Sequence, residues 1–281
     1  MASKWQVQVT SILHYQFSII NYPFSMTKPY PGTQSVQRAI SLLKLFTDEQ
    51  PEWSLPQLVT ATGLNRTTLY RLLTALESET LIARDEQTEC YRLGSGLIVL
   101  GGRAQRANPL RMVSKGPLAQ LAADTRETVT LEQLSGQEMV IIEEILGDQL
   151  LSGGQSVGTR WPVYATSTGR VLLAAMPPED VAAVLPAELV AFTAATITDR
   201  AQLLAELAVI RQQGYAVVVD ELEVGYVAVG AVVRDVEGTA VAAISIGGPK
   251  TRLTPQRLPA VSQQVTACAR QISYQLGYRD D

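Results

Sequence analysis

The sequence predicts an α+β fold in two parts, a small helical part that ends in a hairpin and a larger part that mixes helices and strands. Three features of the chain indicate this. Two short segments with helically spaced leucines, joined by a tight turn, occupy residues 54–76. Two strand-like segments around a polar turn follow at residues 81–93, and from residue 108 helical and strand-like stretches alternate. A chain of 281 residues is long enough for two domains.

Composition and charge limit the classes of function. The chain is 46% hydrophobic and 18% charged, as in soluble globular proteins, and its formal net charge is −4. An indiscriminate nucleic-acid coat would be strongly basic, whereas a site-specific binder needs only a local positive face. Cys90 and Cys268 are far apart and make no disulfide framework or thiol-rich metal motif. A reduced, cytoplasmic setting fits this cysteine usage.

The only histidine is His14, in an N-terminal segment unlike the rest of the chain. The main body therefore lacks a Ser–His–Asp triad, a Cys–His dyad and a histidine-ligated metal centre. We accordingly expect no catalytic residue, no metal site and no cofactor.

Residues 1–33 form a segment of distinct composition. Polar residues interrupt the apolar stretch at 5–24, which has neither the long apolar run of a membrane span nor the small-residue cleavage site of a signal peptide. We expect no membrane partner. Two interpretations stay open: translation starts at or near Met26, or the segment is a poorly ordered arm.

The first helix is predicted at residues 35–46, with Ser35 as a possible N-cap. Helical spacing predicts a core face of Val36, Ala39, Ile40, Leu43 and Phe46. With the two helices of residues 54–76 it would make a three-helix core.

Residues 54–76, SLPQLVTATGLNRTTLYRLLTAL, are the most informative stretch. Gly63 tolerates a positive φ and can end the first helix, while Asn65 is a good N-cap for the second. Arginine and threonine can contact base edges and phosphates of DNA. The prediction is a DNA-binding helix-turn-helix, and a polar, solvated face on an ordinary helical hairpin is the alternative. The predicted contact residues, with no acid among them, are Arg66, Thr67, Tyr70, Arg71 and Thr74, with Thr68 at the margin.

A hairpin after these helices favours DNA binding. Residues 81–84 and 90–93 flank the polar turn DEQTE. Three helices and a hairpin make a winged helix-turn-helix, in which Arg84 and Arg92 would contact phosphate or the minor groove. A connecting helix is predicted at 94–108, and its two central glycines would let it bend.

The second part alternates helices and strands, which predicts a central antiparallel sheet flanked by helices. Helices are predicted at residues 110–124, 166–176, 199–213 (capped at Thr198) and 255–276, and strands at 128–134, 138–146, 215–219, 226–234 and 239–246.

Three stretches of this second part contain residues suited to chemistry or binding. Glycine-rich residues 152–158 lack the Lys-Ser pair of a phosphate loop and favour a loop over a pocket. Asp220, Glu221 and Glu223 favour a solvated loop or a turn cap over acid–base catalysis. Residues 245–249, SIGGP, leave room for a ligand or simply make a turn. A pocket without catalytic groups, joined to a DNA-binding motif, predicts a ligand-controlled transcription factor.

These stretches resemble the isocitrate lyase regulator (IclR) family of bacterial transcription factors. The resemblance covers residues 34–276 and rests on QSVQRAISLLKLF, LPQLVTATGLNRTTLYRLLTALESETLI, YRLG, ETVTL, RWPVYATSTGRVLLA, VVVDELEVGYVAVGAVVRD and AAISIGGPKTRL. It implies an N-terminal extension (1–33), a winged helix-turn-helix DNA-binding domain (34–93), a linker helix (94–107) and a GAF-like α/β effector-binding domain (108–281). It also implies a homodimer or a tetramer, a pseudo-palindromic double-stranded DNA operator and a small organic effector.

The resemblance also implies an effector pocket, from which this chain departs at several positions. Val218, Ala228 and Gly247 stand where the family often has an acid, a cysteine and a serine, and Arg170 stands where it usually has a lysine. Three polar pocket groups are thus lost, while Trp161 adds an aromatic surface. We therefore expect an aromatic or otherwise hydrophobic effector rather than a small hydrophilic oxo-acid. The implied lining is Leu150, Gly153, Trp161, Ser167, Thr168, Val218, Tyr226, Ala228, Ser245 and Gly247.

Two other classes of function stay open. The second part could act as an enzyme on the bound molecule through Asp220, Glu221 or Ser245. The winged part could bind another protein instead of DNA. For the regulator, we expect the effector to shift the arrangement of two DNA-binding heads by its difference in affinity for the two arrangements.

Overall fold

The computed structural model describes residues 32–148 and 157–279. They belong to two compact units, one ending at Leu100 and the other beginning at Gly101. Almost all of the N-terminal segment and most of the glycine-rich stretch, with the predicted pocket residues Leu150 and Gly153, lie outside the described residues.

Within the described residues, the first unit contains three helices and a small antiparallel sheet. Its elements are α1 (Gln34–Leu43), β1 (Glu52–Trp53), α2 (Leu55–Thr62), α3 (Arg66–Ser78), β2 (Ile82–Arg84) and β3 (Tyr91–Leu93). Strand β3 pairs with both β2 and β1. The predicted hairpin is confirmed, and β1 adds a strand of two residues, too short to give an alternating pattern in the sequence.

The turn between α2 and α3 follows the predicted chemistry. Gly63 ends α2 in the left-handed region with φ 64°. The side-chain oxygen of Asn65 accepts a hydrogen bond of 2.8 Å from the backbone N–H of Thr68, which caps α3. The leucines of α2 and α3 pack into one core with Tyr91 of β3.

The predicted core face of α1 is wrong in part. Leu42 and Phe46 are buried, whereas Val36 is 60% exposed and Ile40 is 48% exposed. The helix begins after Thr33, so Ser35 lies inside the helix and is not its cap. Helical spacing shows which residues share a face, but it does not show what covers that face.

Helix α4 (Ser95–Ala107) runs through Gly101 and Gly102 as one helix. The two glycines therefore do not interrupt the helix, and the bend that they would allow stays a prediction. The boundary between the two compact units falls inside α4.

The second unit continues with five helices and a six-stranded antiparallel sheet among the described residues. The helices are α5 (Pro109–Thr125), α6 (Ser167–Ala175), α7 (Pro178–Val184), α8 (Arg200–Gln213) and α9 (Leu258–Gln275), and the strands are β4 (Thr128–Ser135), β5 (Glu138–Ile145), β6 (Arg160–Pro162), β7 (Tyr215–Val219), β8 (Tyr226–Arg234) and β9 (Ala240–Pro249). The strand order is β6-β5-β4-β9-β8-β7. The predicted antiparallel sheet flanked by helices is confirmed.

Each face of the sheet has its own hydrophobic core. One core joins the sheet to α5 and α9. The other joins the opposite face to α6 and α8. Because strand residues alternate between faces, each of the five strands β4, β5, β7, β8 and β9 contributes to both cores.

Some predicted boundaries in the second unit need correction. Asp199, not Thr198, caps α8, because its carboxylate accepts the Gln202 N–H at 2.7 Å. Residues 245–249 are part of strand β9 rather than a turn. Helix α9 begins at Leu258, after a turn at 254–257. Both β6 and α7 were missed because each is too short for a periodic signal.

Candidate effector cavity and DNA-binding surface

Alternation along β4 points three polar side chains to the α6 side of the sheet. Val129 and Leu131 belong to the core beneath α5 and α9. Thr128, Thr130 and Glu132 therefore face the other way, although all three are buried.

Strand register aligns small residues beside them. Gly247 of β9 lies opposite Thr128 of β4 and opposite Ala228 of β8. Ala228 in turn lies opposite Val218 of β7. Four neighbouring strands thus present a row of short side chains to the first turn of α6.

This row and the first turn of α6 enclose a cavity of about 30 Å³. The structure brings together here the eight described residues that the resemblance implied for the pocket. Seven further lining residues were missed: Thr128, Thr130, Glu132, Ala165, Thr166, Glu221 and Leu222. The alternation T-V-T-L-E in β4 was a signal that could have identified the first three of them.

Gly247 makes room for the ring of Tyr226. A Cβ on Gly247 would lie 1.9 Å from the Tyr226 hydroxyl oxygen. The serine that the family often has at this position would therefore require the tyrosine ring to move. In this chain the space beside the Gly247 backbone is therefore filled by the Tyr226 ring.

A buried carboxyl, that of Glu132, lies at the cavity. Thr130 Oγ1 donates to Glu132 Oε1 at 2.7 Å, and Thr168 Oγ1 donates to Glu132 Oε2 at 2.7 Å. Burial raises the pKa of Glu132, and these two hydroxyls act in the opposite direction. Nearby, Ser167 Oγ and Ser245 Oγ are 3.1 Å apart and share a hydrogen bond.

One aromatic donor of the cavity has no partner among the described residues. Trp161 Nε1 is buried without a hydrogen-bond partner. Buried donors are normally satisfied, so this N–H is available to a bound molecule. The hydroxyl of Tyr226 also lines the cavity, and burial, followed by the charge of Glu132, raises its pKa.

A salt bridge between Arg170 of α6 and Glu221 lies beside the cavity. Arg170 is only 1% exposed, and its two terminal nitrogens bind the two carboxylate oxygens of Glu221. Its Nε donates to the Tyr164 carbonyl at 2.8 Å. Glu221 is itself buried, so the prediction that it lies in a solvated loop is wrong. Its burial is explained by Arg170, because a buried guanidinium needs a counter-ion beside it.

The other two residues of the acidic cluster differ from Glu221. Asp220 accepts a hydrogen bond of 2.7 Å from the Gly225 N–H and forms an ion pair with Lys250. The pKa of Asp220 is lowered, and the hydrogen bond from Lys250 is the main cause. Asp220 acts as the cap of the turn. Glu223 is exposed.

The predicted DNA-contacting face of α3 is open to solvent. Arg66, Thr67, Tyr70, Arg71 and Thr74 are exposed on the side opposite the buried leucines. Thr68 is half-buried, and its backbone N–H donates to the Asn65 cap.

The two wing arginines are placed differently. Arg84 pairs with Glu89 at 2.8 Å and lies 5.8 Å above the Tyr91 ring. Arg92 is exposed and is paired in register with Glu52 of β1 and Ala83 of β2. An anion at Arg84 would thus compete with Glu89 for the guanidinium.

Two family models match successive parts of the chain. The IclR helix-turn-helix domain matches residues 35–86, and the C-terminal domain of the bacterial transcriptional regulator IclR matches residues 103–274. The chain belongs to the IclR family. As an IclR-family protein it is a DNA-binding transcriptional regulator rather than an enzyme.

Similar proteins include regulators and solved structures of this family. The HTH-type transcriptional regulator KipR of Bacillus subtilis is 32% identical over 87% of this chain and 98% of its own length. An IclR transcriptional regulator from Alicyclobacillus acidocaldarius has a TM-score of 0.78 and 29% identity, covering 86% of this chain and 98% of the other. An IclR homologue from Microbacterium hydrocarbonoxydans, solved in complex with 4-hydroxybenzoate, has a TM-score of 0.72 and 25% identity over 86% and 98% of the two chains.

Within the described part of this IclR-family chain, no helix is both long and apolar enough to cross a membrane. The same residues contain no group of three or more His, Cys, Asp or Glu side chains arranged to hold a metal ion.

Proposed function

We propose that this regulator acts in the bacterial cytoplasm and binds a small aromatic or otherwise hydrophobic effector in the cavity between α6 and the sheet. Its main support is the convergence of Trp161, Tyr226 and small sheet residues on one cavity. Aromatic side chains supply contact area, and a few polar groups orient the ligand. The 4-hydroxybenzoate bound by the Microbacterium relative supports an aromatic ligand.

Effector binding enlarges this cavity. A volume of about 30 Å³ admits about one or two water molecules, far less than a six-membered ring needs. Trp161 is the side chain best placed to move, because β6 is a three-residue strand that pairs only with β5 among the described residues. Movement of Trp161 would therefore report occupancy.

The first unit binds DNA through α3. Arg66, Thr67, Tyr70, Arg71 and Thr74, with Thr68 at the margin, face the major groove. Their exposure and the absence of an acid among them support this role. Arg84 and Arg92 of the hairpin contact phosphate, with Arg84 exchanging Glu89 for the DNA.

The protein associates with itself as a dimer or tetramer and recognises a pseudo-palindromic operator. Exposed apolar side chains on α1 and α4 support self-association, since such surfaces are seldom left to water. They are Val36, Ile40, Ile98, Val99 and Leu100. A two-fold protein dimer places two α3 helices on two half-sites.

The division of labour follows the domains. Residues 34–93 bind DNA, 94–107 link, and 108–281 bind the effector, after an extension at 1–33. An effector that prefers one arrangement of the DNA-binding heads shifts their equilibrium, typically by about 1–3 kcal/mol. Helix α4 transmits this shift.

Two experiments together test the proposal. Selection from random DNA duplexes should return a two-fold symmetric site, and a thermal-shift panel of small aromatic compounds should return at least one stabilising ligand that changes Trp161 fluorescence. Failure to enrich any DNA sequence would favour the protein-binding alternative. Stabilisation only by hydrophilic oxo-acids would contradict the aromatic effector.

A further inference from the structure

Glu132 is the one cavity carboxyl without a cationic partner among the described residues. Its two oxygens accept hydrogen bonds only from the hydroxyls of Thr130 and Thr168. It is 4% exposed and lies on the sheet face that the cavity covers. In its ionised form each oxygen keeps a lone pair for a further donor.

The charges around the cavity are otherwise balanced or negative. Glu221, the second acid of the lining, is neutralised by Arg170. No lysine, arginine or histidine is among the described residues that line the cavity. Tyr226, the remaining ionisable group there, has its pKa raised by burial and by neighbouring acids, of which Glu132 contributes most.

We propose that Glu132 is a specificity-determining residue, which selects a neutral effector with an N–H or O–H donor and rejects carboxylates. The proposal rests on the effector site proposed above and names the chemical class of its ligand. Such an effector donates a hydrogen bond to Glu132, while an acceptor on the effector takes the unpartnered hydrogen of Trp161 Nε1.

Electrostatics distinguishes the two classes of ligand. Beside an ionised Glu132, a carboxylate would bring a second negative charge into the cavity. Beside a protonated Glu132, the two carboxyl groups would share one proton and still carry one net negative charge. Either arrangement costs binding free energy, because the described residues that line the cavity supply no counter-ion for the pair. A neutral donor costs nothing of this kind and satisfies a lone pair that burial otherwise leaves unused.

Three probes of one ring size separate charge from hydrogen bonding: benzamide is a neutral donor, methyl benzoate is neutral without a donor, and benzoate is an anion. Their dissociation constants are measured by ligand-observed NMR on full-length wild type, Glu132→Gln and Glu223→Gln. Glutamine keeps the size of Glu132 and removes its charge. Glu223 is an exposed carboxylate outside the cavity lining, so it is the matched control.

The wild type and Glu223→Gln should bind benzamide about tenfold or more tightly than benzoate, with methyl benzoate between them. In Glu132→Gln the ratio should narrow to within about threefold, mainly because benzoate binds better. If the wild type bound benzamide and benzoate equally, the proposed role of Glu132 would be wrong, whereas the aromatic site would still be supported. This measurement requires no variant. An unchanged ratio in a folded Glu132→Gln would likewise show that the proposed role of Glu132 is wrong. Binding of none of the probes up to their solubility limits would contradict the aromatic site, and the role of Glu132 with it.

Discussion

Helices α3 and α6 have the same kind of N-cap, but they lie in different environments. Asn65 caps α3 through the Thr68 N–H, and Thr166 caps α6 through the Gly169 N–H. Both then present threonine and arginine. In α3 these side chains are exposed apart from the half-buried Thr68, whereas in α6 every residue from Ser167 to Ala174 is buried.

Residue type alone therefore does not identify the binding partner of a side chain. Arg71 on α3 is open to an external anion. Arg170 on α6 already has its anion, Glu221, inside the protein. The first arginine is therefore expected to affect binding and the second stability.

The largest expected effect is on stability, at Arg170. Arg170→Ala leaves the buried Glu221 without its counter-ion, and we expect a loss of about 3–5 kcal/mol in the free energy of unfolding. Urea denaturation followed by circular dichroism measures it.

Two comparisons identify the cause. Glu206, at 3.9 Å from Arg170 and 39% exposed, should matter little, so Glu206→Gln should change stability by less than about 0.5 kcal/mol. The double variant Arg170→Met with Glu221→Leu should recover much of the loss, because it removes both buried charges. A full-sized loss in the double variant would show that packing, not charge, is responsible.

At Arg71 we expect a change in DNA affinity and almost none in stability. Arg71→Ala should weaken specific operator binding by about 1–3 kcal/mol while changing stability by less than about 0.5 kcal/mol. Gel-shift titration on a selected operator measures the affinity. Arg270→Ala, at an exposed arginine of α9, is the matched control and should bind as the wild type does. Unchanged affinity in Arg71→Ala would remove α3 from its assigned role.

A smaller effect is expected at the helix caps. Asn65→Ala should destabilise the first unit by about 1 kcal/mol, since one backbone N–H of α3 loses its acceptor. Asp199→Ala removes the equivalent cap of α8 in the second unit. Amide hydrogen exchange should show faster opening near each substitution only in the unit that contains it. Faster exchange in both units would contradict separate local effects.

The fold could be predicted from the sequence where the signal for an element lies within the element itself. Leucine spacing, Gly63 and Asn65 together indicate the α2–α3 turn, and alternating strands indicate the antiparallel sheet. Which face of a helix is covered depends on residues distant in sequence. For this reason Val36 and Ile40 of α1 were predicted to be in the core, although they are exposed. The short elements β1, β6 and α7 gave no periodic signal.

The cavity was readable only in part, because it depends on residues distant in sequence. Gly247 and Tyr226 fit each other across paired strands, and Glu221 meets Arg170 from 51 residues away. Neither pairing has a sequence signature. Glu132 was missed although the alternation of β4 places it with Thr128 and Thr130.

In our proposal, a ligand bound in the cavity controls the affinity of α3 for its operator. The direct test is to measure the operator affinity of the wild type and of Trp161→Ala, with and without an aromatic compound that stabilises the wild type. We expect the compound to change wild-type affinity by about fivefold or more, and that of Trp161→Ala by less than about twofold, with equal affinities in its absence. An equal change in both proteins would contradict the assigned cavity. No change in a wild type saturated with the compound would contradict control of DNA binding from that cavity.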